Sequence, residues 1–525
     1  MGGSGAINGQ AFVAPSKFSV DAWEHLGNPG WNWETLSRYF QKSCTLNKPP
    51  VAVVEHLSLA YIDEETSAKF KGPIQASFSE DIGNPLPKAW VETFGELGYP
   101  VSGDPFSGEA VGGYINAMNI HPTTKQRSHA GSAYYEPVQS RKNLQVITSA
   151  SVEKLVLDRQ DGQIVVQGVS YVKDGQTQTV LAAKEVILAA GVFNTPKLLE
   201  LSGIGSASLL ESLNIPVYID NENVGENLQD HPNTGFSFEV NDGVKTVDDL
   251  ARQDMAAIGA AMEDYAKNQS GPFASGGNFA GGFLPVVDFL SPDGKNDLTN
   301  LLQYQPAHDE KPFTKYHAEF VKKLLSTPTE GSGGFFSYPA LGNFIPKTGS
   351  DDIMQSATPG NYFTICCMLL HPLSRGSSHI TSSSPAASPT IDPKYLSHPL
   401  DLEILARHVR YISQLVSTEP LRGFLKPNGR RNDGAPADLS DLAAVKEYVQ
   451  KAALSCWHPT STCAMLPRER GGVVDDKLLV YGVKNLRVVD ASVIPLATRG
   501  NCQTTVYAVA ERAADLIKAG YGGKD

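Results

Sequence analysis

Residues 455–465 read SCWHPTSTCAM and place His458 directly before a proline. Pro459 pushes the residue before it out of helical geometry, so the chain turns there and the ring sits near the end of an element. An imidazole in that position can take a proton from a hydroxyl group near neutral pH. On its own, such a histidine is more often a structural residue than a base. A second histidine, His231, lies in GENLQDHP (residues 225–232). It reads as a loop-ordering residue, because structural networks also perturb such groups. The six cysteines, at 44, 366, 367, 456, 463 and 502, lack metal-ligand spacing. Adjacent Cys366 and Cys367, in ICCMLL, read as core, and no nearby feature would lower a thiol pKa.

The elements around His458 are punctuated clearly. Leu486 to Val489 is a short apolar run that predicts a buried strand, closed by Asp490-Ala491. From Thr504 onward Val506, Val509, Ala510, Ala513, Leu516 and Ile517 share one helical face, and Gly520 stops the helix. Strand, polar loop and helix N-terminus together suit a phosphate-bearing ligand. Upstream, Leu144–Thr148, Val152–Leu157, Ile164–Tyr171 and Thr177–Leu181 predict strands, with hairpin turns at Asp161-Gly162 and Asp174-Gly175. Val186–Ala189 predicts a buried strand before a helix that Thr195 caps, with Pro196 at its first position and Gly203 after its end. Asp401–Val416 and Ser440–Leu454 read as amphipathic helices.

At 525 residues the chain exceeds one compact core, so two joined domains are expected. A formal net charge of −12 argues against nucleic acid or an anionic membrane surface as partner. No apolar run approaches a membrane span, and none at the start resembles a signal peptide. The triplet Asn268-Gln269-Ser270 is a glycosylation sequon of the kind that chance also produces.

Several separated stretches, in order, resemble the glucose-methanol-choline (GMC) oxidoreductases, which are FAD-dependent alcohol oxidases and dehydrogenases. They are GGSGAING at the start, KEVILAAGVFNTPKLLELSGIG, GENLQDHP, the WHPTSTCAM run, and GVKNLRVVDASVIP followed by NCQTT. The resemblance implies an α/β fold: a Rossmann-like FAD-binding domain interleaved with a substrate domain, itself an antiparallel sheet backed by helices. Residues 1–50, 125–235 and 455–525 would form the first, 236–454 the second, and 51–124 an excursion covering the active site. It implies a small-molecule alcohol as substrate, with oxygen or another electron acceptor. His458 matches the family's base and Asn501 its partner position. FAD contacts are implied at Ser4, Asn8, Gly9 and Ala11, at Val152 through its backbone, and at Asp490, Ala491, Gln503 and Thr504. Asn8 stands where some relatives carry a flavin-linked histidine, so no covalent link is expected there.

The sequence departs from that pattern in one respect. It contains no G-x-G-x-x-G turn between a strand and a helix, the unit that holds the ADP part of a dinucleotide. A shortened chain is therefore expected, one whose sheet lacks an inner strand and leaves backbone groups unpaired. Two other readings compete with alcohol oxidation: a non-redox cyclase or dehydratase on the same scaffold, and an inactive remnant.

Overall fold

The computed structural model describes residues 2–276, 280–303, 312–345 and 358–522. The largest sheet has six strands, all antiparallel, in the order Leu454–Ser455, Pro232–Glu239, Tyr362–Leu369, Gly333–Tyr338, Ala280–Leu284 and Gly112–Ile115. Tyr362–Leu369 lies inside the sheet and is buried along its whole length, in keeping with a sequence that is apolar at all but Thr364, whose hydroxyl bonds to the Ala340 carbonyl. The helix Pro399–Ser417 backs this sheet. It comes so close that a Cβ on Gly333 would lie 2.5 Å from the His408 ring, so only glycine fits there.

A second region is built on parallel pairing. Val186–Leu188 runs beside Leu486–Val488, joining segments three hundred residues apart. Next to it lies the three-stranded antiparallel meander Ser151–Gln160, Gln163–Lys173 and Gln176–Leu181. Both hairpin turns predicted from sequence are present, with positive φ at Asp161, Gly162, Asp174 and Gly175. The last helix, Gln503–Gly520, packs against Trp33–Ser43. Arg512 on that helix lies 4.0 Å from the Trp31 ring and donates to the Gly30 carbonyl. Trp23 is fully buried and donates its indole N–H to the Leu496 carbonyl, tying the first helix to the loop before Asn501. Among the described residues no helix is long and apolar enough to cross a membrane.

Two local expectations need correction. Leu144–Thr148 forms no strand: the segment has no regular structure, and Leu144, Val146 and Ile147 stay exposed. A strand needs a neighbour for its backbone groups, and none of the described strands lies beside this one. The helix after Val186–Leu188 begins at Gly191, not at a Thr195 cap. Its cap comes from far away in sequence: Asp490 Oδ2 accepts the Gly191 N–H at 2.9 Å and the Thr195 hydroxyl at 2.5 Å. Pro196 therefore lies inside the helix. The carbonyl of Val192, which a proline four residues on cannot serve, instead accepts the Thr462 hydroxyl at 2.6 Å.

Candidate active site

The site is assembled where two loops are zipped together. Pro232 and Asn233 pair with Ser455 and Leu454 at the edge of the large sheet, and the Cys456 N–H donates to the His231 carbonyl at 3.0 Å. Gln229 and Thr460 exchange both backbone hydrogen bonds. The chain then takes a left-handed turn at Trp457 (φ 56°), an uncommon conformation for a large side chain, and this brings His458 inward. Trp457 itself is left exposed, while His458 is buried.

One carboxylate fixes both loops. Asp230 Oδ1 accepts the backbone N–H of His231 at 2.7 Å and that of His458 at 3.0 Å. Its Oδ2 accepts the Ser455 hydroxyl at 2.5 Å and the Tyr395 hydroxyl. A third segment enters through Gln229, whose side chain accepts the Ala497 N–H at 2.9 Å and donates to the Pro495 carbonyl at 3.2 Å. That segment runs on to Asn501 at the head of the last helix.

The two residues expected to act together do meet. Asn501 Nδ2 lies 3.0 Å from His458 Nε2. The other ring nitrogen, Nδ1, lies 3.0 Å from Nδ1 of His231. Burial pushes the His458 pKa down to about 4, so the ring is neutral near pH 7 and available to accept a proton. Burial, with the neighbouring His458 ring adding to it, pushes His231 down to about 3. Burial raises the Cys502 thiol to about 12, helped by the Asp230 charge, so it stays protonated. A hydroxyl taking the place of the Asn501 amide at His458 Nε2 would meet an acceptor in the ring and a donor in the freed amide, which is what removing a hydroxyl proton requires.

The residues expected to contact a flavin dinucleotide fall into two places. At the head of the last helix, Asn8 donates to Gln503 Oε1 at 2.9 Å and accepts from Arg127 at 2.7 Å. Gln503 donates to the Ala11 carbonyl at 3.3 Å, and the Thr504 hydroxyl donates to the Val13 carbonyl. The opening turn lies directly on this helix, since a Cβ on Gly5 would sit 2.9 Å from the Tyr507 hydroxyl. Ser4 is exposed on that turn, and Gly9 faces open space. Val152 lies elsewhere, on the wall of a cavity of about 360 Å³ that runs along Val186–Leu188 to Ala189 and Ala190 and is closed on its other side by the meander residues Gly168, Val169 and Val180.

Asp490 and Ala491 sit at the matching end of Leu486–Val488. Asp490 holds four donors of its own chain, namely Gly191 N–H, the Thr195 hydroxyl, and the N–H and hydroxyl of Ser492. Its carboxylate therefore shapes the turn and has no free edge for a ligand. The expected FAD contacts thus fall on a polar shelf at the head of the last helix and on an apolar wall at Val152, a donor set and a surface that the two ends of such a group could meet.

The arrangement was only partly foreseeable. His231 lies as close to the His458 ring as Asn501 does, and Asp230 holds the His458 backbone, yet the GENLQDHP loop carries little local sign of either. The one usable signal was that the loop pairs an acid with a histidine just before a proline.

The chain resembles known proteins along nearly its whole length. Family models described as GMC oxidoreductase match residues 1–233 and 372–510. A dehydrogenase of Monascus purpureus, mpl7, is 35% identical over 99% of this chain and 83% of its own. Among solved structures, an FAD-dependent oxidoreductase from Chaetomium thermophilum superposes with a TM-score of 0.85 at 27% identity, covering 99% of this chain and 86% of that one. A fungal aryl-alcohol oxidase gives a TM-score of 0.80, also at 27% identity, with 99% and 86% covered.

Proposed function

The chain belongs to the GMC oxidoreductase family, and on that premise we propose that it oxidises the CH–OH group of a small alcohol, with FAD as hydride acceptor and His458 as base. The observation that carries the reading is the 3.0 Å approach of Asn501 Nδ2 to Nε2 of the buried His458. The neutral imidazole takes the hydroxyl proton at Nε2 as Asn501 turns its amide to the alcohol oxygen and holds it. Bound FAD supplies the acceptor for the hydride that leaves the same carbon. Asn8, Gly9, Ala11, Gln503 and Thr504 would hold the flavin end, with Ser4 on the turn beside them. The backbone of Val152 would meet the adenine, and Asp490-Ala491 would shape the turn between the two ends. Electrons then pass to oxygen or to another acceptor.

The domain division belongs to the same proposal. Residues 1–50, 125–235 and 455–525 carry the cofactor, 236–454 shape the substrate side, and 51–124 cover the pocket. Support comes from the large antiparallel sheet, which meets the catalytic loop at Leu454–Ser455.

The test is the visible spectrum of the protein purified with FAD and then desalted. A retained flavin band that bleaches anaerobically with an alcohol, but does not in His458→Ala, supports the reading. A retained band that no alcohol bleaches counts against it, and fits a non-redox use of the same pair.

A further inference from the structure

We propose that His231 is a positioning residue that fixes which ring nitrogen of His458 is free to take the substrate proton. This rests on the reading of His458 as the base and adds to it the source of the ring's tautomer.

The argument begins with proton counting. The two rings stand nearly perpendicular, at 80°, with Nδ1 facing Nδ1 at 3.0 Å. Two ring nitrogens at that distance share one proton. With two they would clash, and with none they would press two buried lone pairs together. The Asn501 contact says which ring supplies it. An amide nitrogen only donates, so its 3.0 Å approach makes His458 Nε2 the lone pair. His458 therefore carries its proton on Nδ1 and donates it to His231. His231 accepts at Nδ1 and carries its own proton on Nε2, on the side of the Leu370 carbonyl, although without a well-formed hydrogen bond to it.

The hydrogen bonds thus run in one direction, from His458 to His231, and leave Nε2 of His458 facing Asn501 as the acceptor. Without an acceptor at Nδ1, only the Asn501 amide holds that tautomer, and it lets go of the ring when it turns to the alcohol oxygen. The alternative, with its proton on Nε2, cannot take a proton at that atom. His231 is suited to be an acceptor rather than a second base, because burial and the facing His458 keep it neutral. The other groups facing the pair are fixed. Asp230 is occupied by the two backbone N–H groups and two hydroxyls, the Cys502 thiol lies 4.0 Å from the His458 carbonyl, and the buried His371 is held neutral in the same way.

Three variants test this in the flavin-loaded protein: His231→Leu removes the acceptor, His231→Asn keeps one near the Nδ1 position, and His458→Ala checks the base itself. The readouts are kcat and KM with an alcohol that bleaches the parent, and the ring nitrogen signals of His458 in protein labelled with 15N-histidine. In His231→Leu, kcat is expected to fall about 100-fold with KM little changed. The His458 signals should move away from the form protonated only at Nδ1. His231→Asn should recover most of kcat and the parental signals. If His231→Leu does not fold, His231→Gln serves, since its acceptor lies too far along the side chain, and it should behave as the leucine variant would. Parental kcat or parental His458 signals in a folded, flavin-retaining His231→Leu would overturn the proposal. Parental activity in His458→Ala would overturn the base reading instead, whatever the tautomer.

Discussion

Asn501 and His458 sit on different segments, yet the amide of one lies 3.0 Å from Nε2 of the other. The contact depends on an acid and an amide from a third stretch of the chain. Asp230 holds the backbone of His458, and Gln229 holds the segment that delivers Asn501. His458 and Asn501 are placed by the loop at 229–231 as much as by their own neighbours in sequence.

That placement gives a pH prediction for Asn501. Burial holds His458 at about 4, so the neutral base is present above that pH and is lost as pH falls through it. In Asn501→Asp a carboxylate beside the ring would favour the imidazolium and move the acid limb of kcat/KM upward, toward neutrality. Asn501→Ala keeps the limb low and should lower kcat by about tenfold, the loss of one hydrogen bond. The pH profiles of the two variants check this, and an acid limb in Asn501→Asp no higher than in the parent would contradict it.

Asp490 should matter more for stability than for ligand contact. Asp490→Ala strips four donors of their acceptor at the junction of the parallel strands and is expected to cost about 3 kcal/mol or more. Urea denaturation measures it. A loss below about 1 kcal/mol would mean that water replaces the carboxylate without penalty.

The shelf at the head of the last helix makes a separate prediction. Gln503→Ala removes the acceptor for Asn8 and a donor to Ala11. FAD binding, followed by flavin fluorescence, is expected to weaken about tenfold while thermal stability changes little. Unchanged binding would remove Gln503 from the set of residues assigned to the flavin.

Away from the site, His379 gives the fold an alkaline limit. Burial works against a charged ring, but hydrogen bonds and charge from Glu200 and Glu226 outweigh it and push the pKa up to about 9. The partners lie at 2.7 and 3.4 Å, and Glu200 is fully buried. The folded pKa is above the ordinary value of 6.5, so this stabilisation is complete below about pH 6.5 and is lost as pH rises through about 9. It should be worth on the order of 2 kcal/mol. Melting temperatures from pH 6 to 10 should fall over that window in the parent. In His379→Gln they should start lower and fall less, and parallel curves would refute the assignment.

The legible parts of this chain were those written in local chemistry. Asp-Gly pairs at 161–162 and 174–175 fixed the meander because their positive-φ turns need no distant partner. The spacing of Val506, Val509 and Ala513 marked the last helix for the same reason. What stayed hidden was long-range. The cap at Gly191 comes from a residue 299 positions away, and His231 meets His458 across 227 positions. Leu144–Thr148 shows the converse, a strand pattern with no neighbour to complete it.

The central claim is best tested by stopped-flow bleaching of the flavin-loaded protein under anaerobic conditions, with an alcohol and its counterpart deuterated at the hydroxyl-bearing carbon. Proton removal by His458 with hydride loss from that carbon predicts alcohol-dependent bleaching that slows severalfold on deuteration. In His458→Ala the bleaching should drop by at least about 100-fold. Bleaching that proceeds equally fast with either alcohol and survives in His458→Ala would contradict the account.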